Sequence, residues 1–129
     1  MEKFSDFSEL ILYQKKVSQI SEKVSESKRN YKAVLEKRLF DFSVTVIKYL
    51  LTLPAKSEFN VFRNQLSRAG TAIGANYEEA IGAFGKRDFV SKLTICLKES
   101  RESHYWLRIL GELKLGNDVL RKNLEQESG

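Results

Sequence analysis

The sequence predicts an all-α fold, an up-down antiparallel four-helix bundle. Three observations point there. The 129 residues include one proline and seven glycines, so chain breakers are scarce. Apolar residues recur at steps of three and four over long stretches, the spacing of one helix face. No stretch alternates apolar and polar residues as a half-buried strand would.

The first helix is expected over residues 4–27, with Phe7, Leu10, Ile11, Val17, Ile20 and Val24 on one broad face. Ser25 to Asn30 reads as a polar connection. A second helix is expected over 31–53. Leu35, Leu39, Phe42, Val46, Leu50 and Leu53 form its stripe, and Val44, Ile47 and Leu51 widen it, so this helix needs more than one neighbour. Pro54 disfavours helical geometry at Leu53 and marks the stop.

The third helix, over 58–83, has Ser57 as candidate N-cap. Its apolar line runs Phe59, Phe62, Leu66, Ala69, Ile73, Tyr77, Ala80 and Phe84. Gly70 and Gly74 lie four apart beside Ala69 and Ala75. A helical glycine costs about 1 kcal/mol against alanine, so this small-residue face predicts close approach by another helix. A tight turn at 82–88 follows, with Asp88 as candidate N-cap of a fourth helix over 89–114. Phe89, Leu93, Cys96 or Leu97, Ser100, Leu107 and Leu110 are its core face. Gly116-Asn117 ends it, and Asn117 or Asp118 caps a last short helix to about Glu127, with Val119, Leu120 and Leu124 as its apolar residues. The third and fourth helices, residues 62–110, carry the densest signature of the chain.

Composition bounds the function. The length is that of one domain. An apolar share of 42% against 30% charged residues is that of a globular chain. The net charge of +5 permits nucleic-acid or anionic-surface binding without demanding it. A single cysteine, Cys96, excludes an intrachain disulfide and reads as a small core residue. No apolar run reaches the length of a membrane span, and the N-terminus lacks the layout of a signal peptide, so a cytoplasmic setting is expected.

No catalytic constellation can be assembled. His104, the one histidine, follows Arg101 rather than a carboxylate at the Glu-x-x-His spacing of a di-metal bundle. No zinc spacing, phosphate loop or nucleophile–base pair is present. No metal, cofactor or enzymatic activity is expected. Lys98 and Glu102 sit four apart, as a surface pair would. Alternatively they join an inter-helix or inter-subunit network with Asn76, Glu78 and Glu79, flanked by Tyr105 and Trp106. Basic residues cluster in two places. Lys28, Arg29, Lys32, Lys37 and Arg38 stand against Glu36, and Arg63, Arg68, Lys86 and Arg87 lie further on. They form either a phosphate-binding surface or a solvated face.

Three stretches also carry a resemblance: LEKRLFDF at 35–42, QLSRAGTAIGANYEEA at 65–80, and DFVSKL at 88–93 continuing through Lys98-Glu99, Glu102 and Tyr105-Trp106-Leu107. They resemble the bacterial four-helix bundle proteins encoded in intervening sequences of 23S ribosomal RNA genes, the S23 ribosomal protein family. The likeness covers about 33–115. It implies a ring-like homo-oligomer, a pentamer, with a basic surface for RNA or DNA and no established enzymatic activity. Related accessory proteins of diversity-generating retroelements bind reverse transcriptase and nucleic acid. The family pattern has a full last helix and begins near residue 33, whereas this chain has about thirty residues before that point. Residues 1–30 are therefore expected as an extension helix filling the space left by a short last helix at 116–129, around a family core at 31–115. Deleting that extension is expected to unfold or aggregate the protein.

The expected function is a non-catalytic, self-associating bundle that binds nucleic acid, with Lys37, Arg38, Arg63, Arg68, Lys86 and Arg87 contacting phosphates rather than reading bases. Gln65, Asn76, Glu79, Lys98, Glu99, Glu102, Tyr105 and Trp106 are expected in a structural or interfacial network. The alternative is a protein-interaction module, such as an accessory subunit of a mobile-element or ribosome-associated system.

Overall fold

A computed structural model describes residues 5–20 and 25–129, with side chains for 5–16 and 31–129. The described residues are all-helical: α1 (Phe7–Ile20), α2 (Ser25–Leu50), a 3-10 turn (Ser57–Phe59), α3 (Asn60–Ile81), α4 (Lys86–Glu112) and α5 (Asp118–Ser128). The expected core positions Val17, Ile20 and Val24 lie outside the described side chains.

Boundaries move where local chemistry decides them. α1 starts at Phe7, not residue 4, because Asp6 caps it: its carboxylate accepts from the Glu9 amide at 3.0 Å. The expected connection at 25–30 is instead the first turns of α2. At its other end α2 stops at Leu50, and Thr52 and Leu53 tighten into a turn before Pro54. Ser57 caps nothing; it opens the 3-10 turn, and α3 follows from Asn60. Asp88 is not the cap of α4 either. Gly85, at φ 95°, reverses the chain, so α4 begins at Lys86 with Asp88 in its first turn. Asn117 does cap α5, accepting from the Leu120 amide at 3.0 Å.

The register of neighbouring helices follows from their contacts. On α3 and α4, Phe62 meets Trp106, Ile73 meets Cys96 and Glu79 meets Lys92, so the two run antiparallel. α2 and α3 are antiparallel too, with Val46 against Gly70 and Leu39 against Gly74. The missing Cβ of Gly70 would lie 2.9 Å from a Val46 methyl. The close approach expected from the small-residue face is therefore real at Gly70. At Gly74 the nearest atom is at 3.5 Å, an ordinary contact.

α5 and α1 share the space between α2 and α4. α5 covers the part nearer the C-termini of α2 and α4. The Tyr49 hydroxyl donates to the Leu115 carbonyl at 2.7 Å, the Asn117 amide donates to Thr52 Oγ1 at 2.8 Å, and Arg38 pairs with Glu127 at the other end. α1 continues where α5 stops. Ser100 marks the joint: its hydroxyl contacts Ser8 Oγ at 3.0 Å and the Ser128 carbonyl at 3.2 Å. From there Phe7 packs edge-on against Phe42, and Tyr13 meets Tyr31. Phe7, Leu10 and Ile11 are wholly buried, and Gln14 accepts a hydrogen bond from the buried Tyr77 hydroxyl at 2.8 Å. The N-terminal helix thus fills the core beside the short last helix.

The core combines these side chains with Leu35, Leu39, Phe42, Val46, Leu66, Ile73, Leu93, Cys96, Leu107, Leu110 and Leu124. Some apolar residues expected inside are not. Phe84 lies beyond the end of α3 in the loop and is 97% exposed, and Val119 faces outward from α5. Val44, Ile47 and Leu51, expected to widen the stripe of α2, are exposed.

Candidate binding surfaces

The expected basic residues do not converge. Arg63 sits at the start of α3, where its guanidinium hydrogen-bonds the carbonyls of Leu53, Pro54 and Lys56 and closes the α2–α3 connection. Lys86 and Arg87 stand at the far end of the molecule. The 18 residue steps of helix from Arg63 to Ile81 alone span about 27 Å. Lys37 pairs with Asp41 at 2.8 Å, and Arg38 is committed to Glu127. Arg68 reaches across to α4, bonding Glu99 at 3.2 Å and Glu102. Four of the six cations therefore serve the fold. Lys28 and Arg29 lie outside the described side chains.

The expected polar network does not form as a whole: of its residues only Glu99, Glu102 and Trp106 come together, around Arg68. Arg68 holds it together, and Trp106 joins by donating its indole N–H to Glu102 at 3.3 Å. Glu99 is only 8% exposed, so its carboxylate needs that guanidinium. Asn76 hydrogen-bonds the Ala72 carbonyl of its own helix, and Glu79 pairs with Lys92, so neither enters the network. Gln65 is half-buried at the edge of α3. Lys98 does not pair with Glu102, because Arg68 takes that carboxylate from the α3 side; Lys98 points to solvent.

Two exposed surfaces result. Along α2 and one residue past its end, Phe40, Val44, Ile47 and Leu51 follow steps of four, three and four, and are 69, 38, 42 and 80% exposed. Beside Phe40 a groove opens between α2 and α3, floored by Leu39, Ser43, Gly74 and Ala75. On α4 the outward line is Arg87, Ser91, Thr94, Lys98, Arg101, Tyr105 and Arg108, all exposed. Among the described residues none of its four cations is in an ion pair. Arg101 and Arg108 went unnoticed as candidates in the sequence. The spacing 98, 101, 105, 108 was the available signal, but the intervening Glu99 and Glu102 mask it until their pairing with Arg68 is known.

Burial favours the neutral form of two core groups. Burial pushes the Cys96 thiol from 9.0 up to about 12, and its Sγ lies 3.4 Å from the Ile73 carbonyl. Burial likewise raises the Tyr49 phenol from 10.0 to about 12. Both folded values lie above the unfolded ones, so this contribution to stability is complete below about pH 9 and is lost as pH rises toward 12. The urea midpoint should hold steady up to about pH 9 and then fall, less steeply in Cys96→Ala. A midpoint unchanged from pH 8 to 11 would contradict this.

Among the described residues no group of three or more His, Cys, Asp or Glu gathers to hold a metal ion, and no helix is long and apolar enough to cross a membrane.

Comparison with known proteins places the chain. The crystal structure of a protein of unknown function from the S23 ribosomal protein family of Bacteroides thetaiotaomicron matches with a TM-score of 0.66 and 31% identity, over 72% of this chain and 86% of that one. No curated protein matches. The family model for 23S rRNA-intervening sequence proteins matches residues 32–128, from within α2 to the end of α5, with α1 outside it. The matched segment reaches further than the 33–115 read from the sequence and takes in α5. The helices that share the Arg68 network and the α2–α3 close approach are thus those of the 23S rRNA-intervening sequence protein family, and the chain belongs to it.

Proposed function

We propose that the protein is a non-catalytic, self-associating up-down four-helix bundle, with α5 and α1 end to end as its fourth helix, that binds nucleic acid through a basic surface in the cytoplasm. The observation that carries this reading is the apolar line on α2. Four large apolar side chains exposed in one line beside a groove form a contiguous patch of the kind that marks an interaction site. Burying them against another copy gains about 25 cal/mol per Å². A line on one copy meeting a different surface on the next is a heterologous contact, the kind that closes into a ring. That geometry is compatible with the pentamer the family resemblance favours. The net charge of +5 and the ribosomal names of the family and its relative support nucleic acid as the ligand.

The solution mass tests it. Light scattering of the wild type should give a ring-sized oligomer that takes up a structured ribosomal RNA fragment, with binding that weakens steeply as salt rises. Ile47→Asp with Leu51→Asp should reduce the mass to that of a monomer while helix content is unchanged. A double variant that keeps the wild-type mass would show that α2 is not the interface. A monomeric wild type indifferent to RNA would move the α2 line to the second reading, a protein-interaction module whose partner covers it.

A further inference from the structure

We infer that nucleic acid is held on the outward face of α4, by Arg87, Lys98, Arg101 and Arg108, and that this face takes the phosphate backbone of a duplex rather than the bases of a single strand. The inference rests on the nucleic-acid reading above and gives it a site, one that differs from the basic clusters visible in the sequence.

Arg87, Lys98, Arg101 and Arg108 are set apart from most of the other cations by having no internal work and by sharing one line. Lys37, Arg38, Arg68, Lys92, Arg121 and Lys122 each hold a carboxylate, and Arg63 holds the carbonyls of the α2–α3 connection. Binding a phosphate there would first break that contact. Arg87, Lys98, Arg101 and Arg108 pair with no described residue and are exposed. They are also aligned. The steps from 87 through 91, 94, 98, 101 and 105 to 108 alternate four and three, which keeps every member on one face of a helix. No carboxylate stands on that line before Glu112. Glu99 and Glu102 leave it free by turning to Arg68 on the α3 side. Lys98 and Arg101 are like charges on adjacent turns, a placement that disfavours the free helix and is relieved by a bound anion.

Shape selects the ligand. The line runs along a helix ridge for 21 residue steps, about 32 Å, close to one turn of a duplex at about 34 Å. The hollow beside its end, at Tyr105 and Arg108, is also lined by Glu112 and Glu125, carboxylates that disfavour the phosphates of a single strand, and Tyr105 is the one aromatic side chain on the line. Single-strand binders stack successive bases on several aromatics. Cations at intervals along a straight ridge, with the Ser91 and Thr94 hydroxyls between them, suit the regularly spaced phosphates of a duplex, which orient a protein without specifying sequence.

Fluorescence anisotropy with a 20-base-pair RNA duplex, the matching DNA duplex and the single strand of the same length tests this across a salt series. Per protomer, four phosphate contacts predict a slope of log K against log salt of about −3.6. Lys98→Glu with Arg101→Glu should weaken duplex binding at least tenfold and flatten the slope by about 2. Lys37→Glu with Lys122→Glu makes the same change of charge at exposed but internally paired positions, and should stay within about threefold of wild type. Circular dichroism and light scattering confirm that both variants keep their fold and mass. If the wild type binds none of the three probes, the nucleic-acid reading itself fails. If it binds with the expected salt dependence but the α4 variant binds like wild type, the reading stands and the site is wrong. A single strand bound more tightly than the duplex overturns the ligand class. Polyglutamate competing as well as duplex would make the line a docking face for acidic protein and would likewise overturn it.

Discussion

Replacing Phe7 and Leu10 together by alanine is expected to remove about 5–10 kcal/mol of stability, since Phe→Ala in a core costs about 3–5 and Leu→Ala about 2–5. That is the size of the whole folding free energy of an ordinary domain, about 5–15 kcal/mol. Both side chains are fully buried. Phe7 lies 4.8 Å from Phe42, ring centroid to ring centroid, and Leu10 belongs to the same cluster. The two are neighbours, so the individual costs need not add. In a domain at the low end of that range even the lower figure leaves much of the population unfolded. Urea denaturation followed by far-UV circular dichroism reads it directly. A loss under about 2 kcal/mol with an unchanged m-value would mean that α1 is not part of the core. Deleting residues 1–20 is the stronger form of the experiment. The cut belongs at residue 20, because a deletion to residue 30 also removes the first turns of α2. Such a protein would expose Phe42 and leave the Tyr77 hydroxyl without Gln14, and it should aggregate.

The second large effect is expected at Gly70. A Cβ there would sit 2.9 and 3.1 Å from the two methyls of Val46, which is fully buried. Valine in a helix has one strongly preferred rotamer, so those methyls cannot swing aside. Gly70→Leu must therefore push α2 and α3 apart and should cost about 3 kcal/mol. Gly74 is the control. The nearest atoms to its Cβ position are Ser43 Oγ at 3.5 Å and the Leu39 carbonyl at 3.6 Å, so Gly74→Ala fits. It should be neutral or stabilise by up to about 1 kcal/mol through helix propensity. Thermal unfolding of the two variants beside wild type gives the signs. Equal tolerance at both positions would show that the close approach of α2 and α3 is not what selects glycine at 70.

These two sites show how the same sequence signal can be legible or not. Both glycines belong to one small-residue face, and the face predicted close packing. Which glycine bears the contact depends on the valine opposite it, 24 positions away in the chain. The polar network behaves likewise. Glu99, Glu102 and Trp106 were recognisable as a group, but their hub, Arg68, read as a phosphate contact. A guanidinium looks the same in sequence whether it faces solvent or a buried carboxylate on another helix.

The sequence by itself determined the helical class, most of the buried positions and the family resemblance. These follow from residue spacing within single helices and from local caps and breakers, all of which act over a few residues. Only the tertiary structure decided the rest. It joined α5 to α1 at Ser100, turned Phe40, Val44, Ile47 and Leu51 outward, and separated the cations that hold the fold from those that stand free on α4. Each of those outcomes depends on partners such as Arg38 with Glu127 or Arg68 with Glu99, which meet only when distant helices pack. Burial and charge pairing are properties of that packing, and periodicity along one helix carries no record of them.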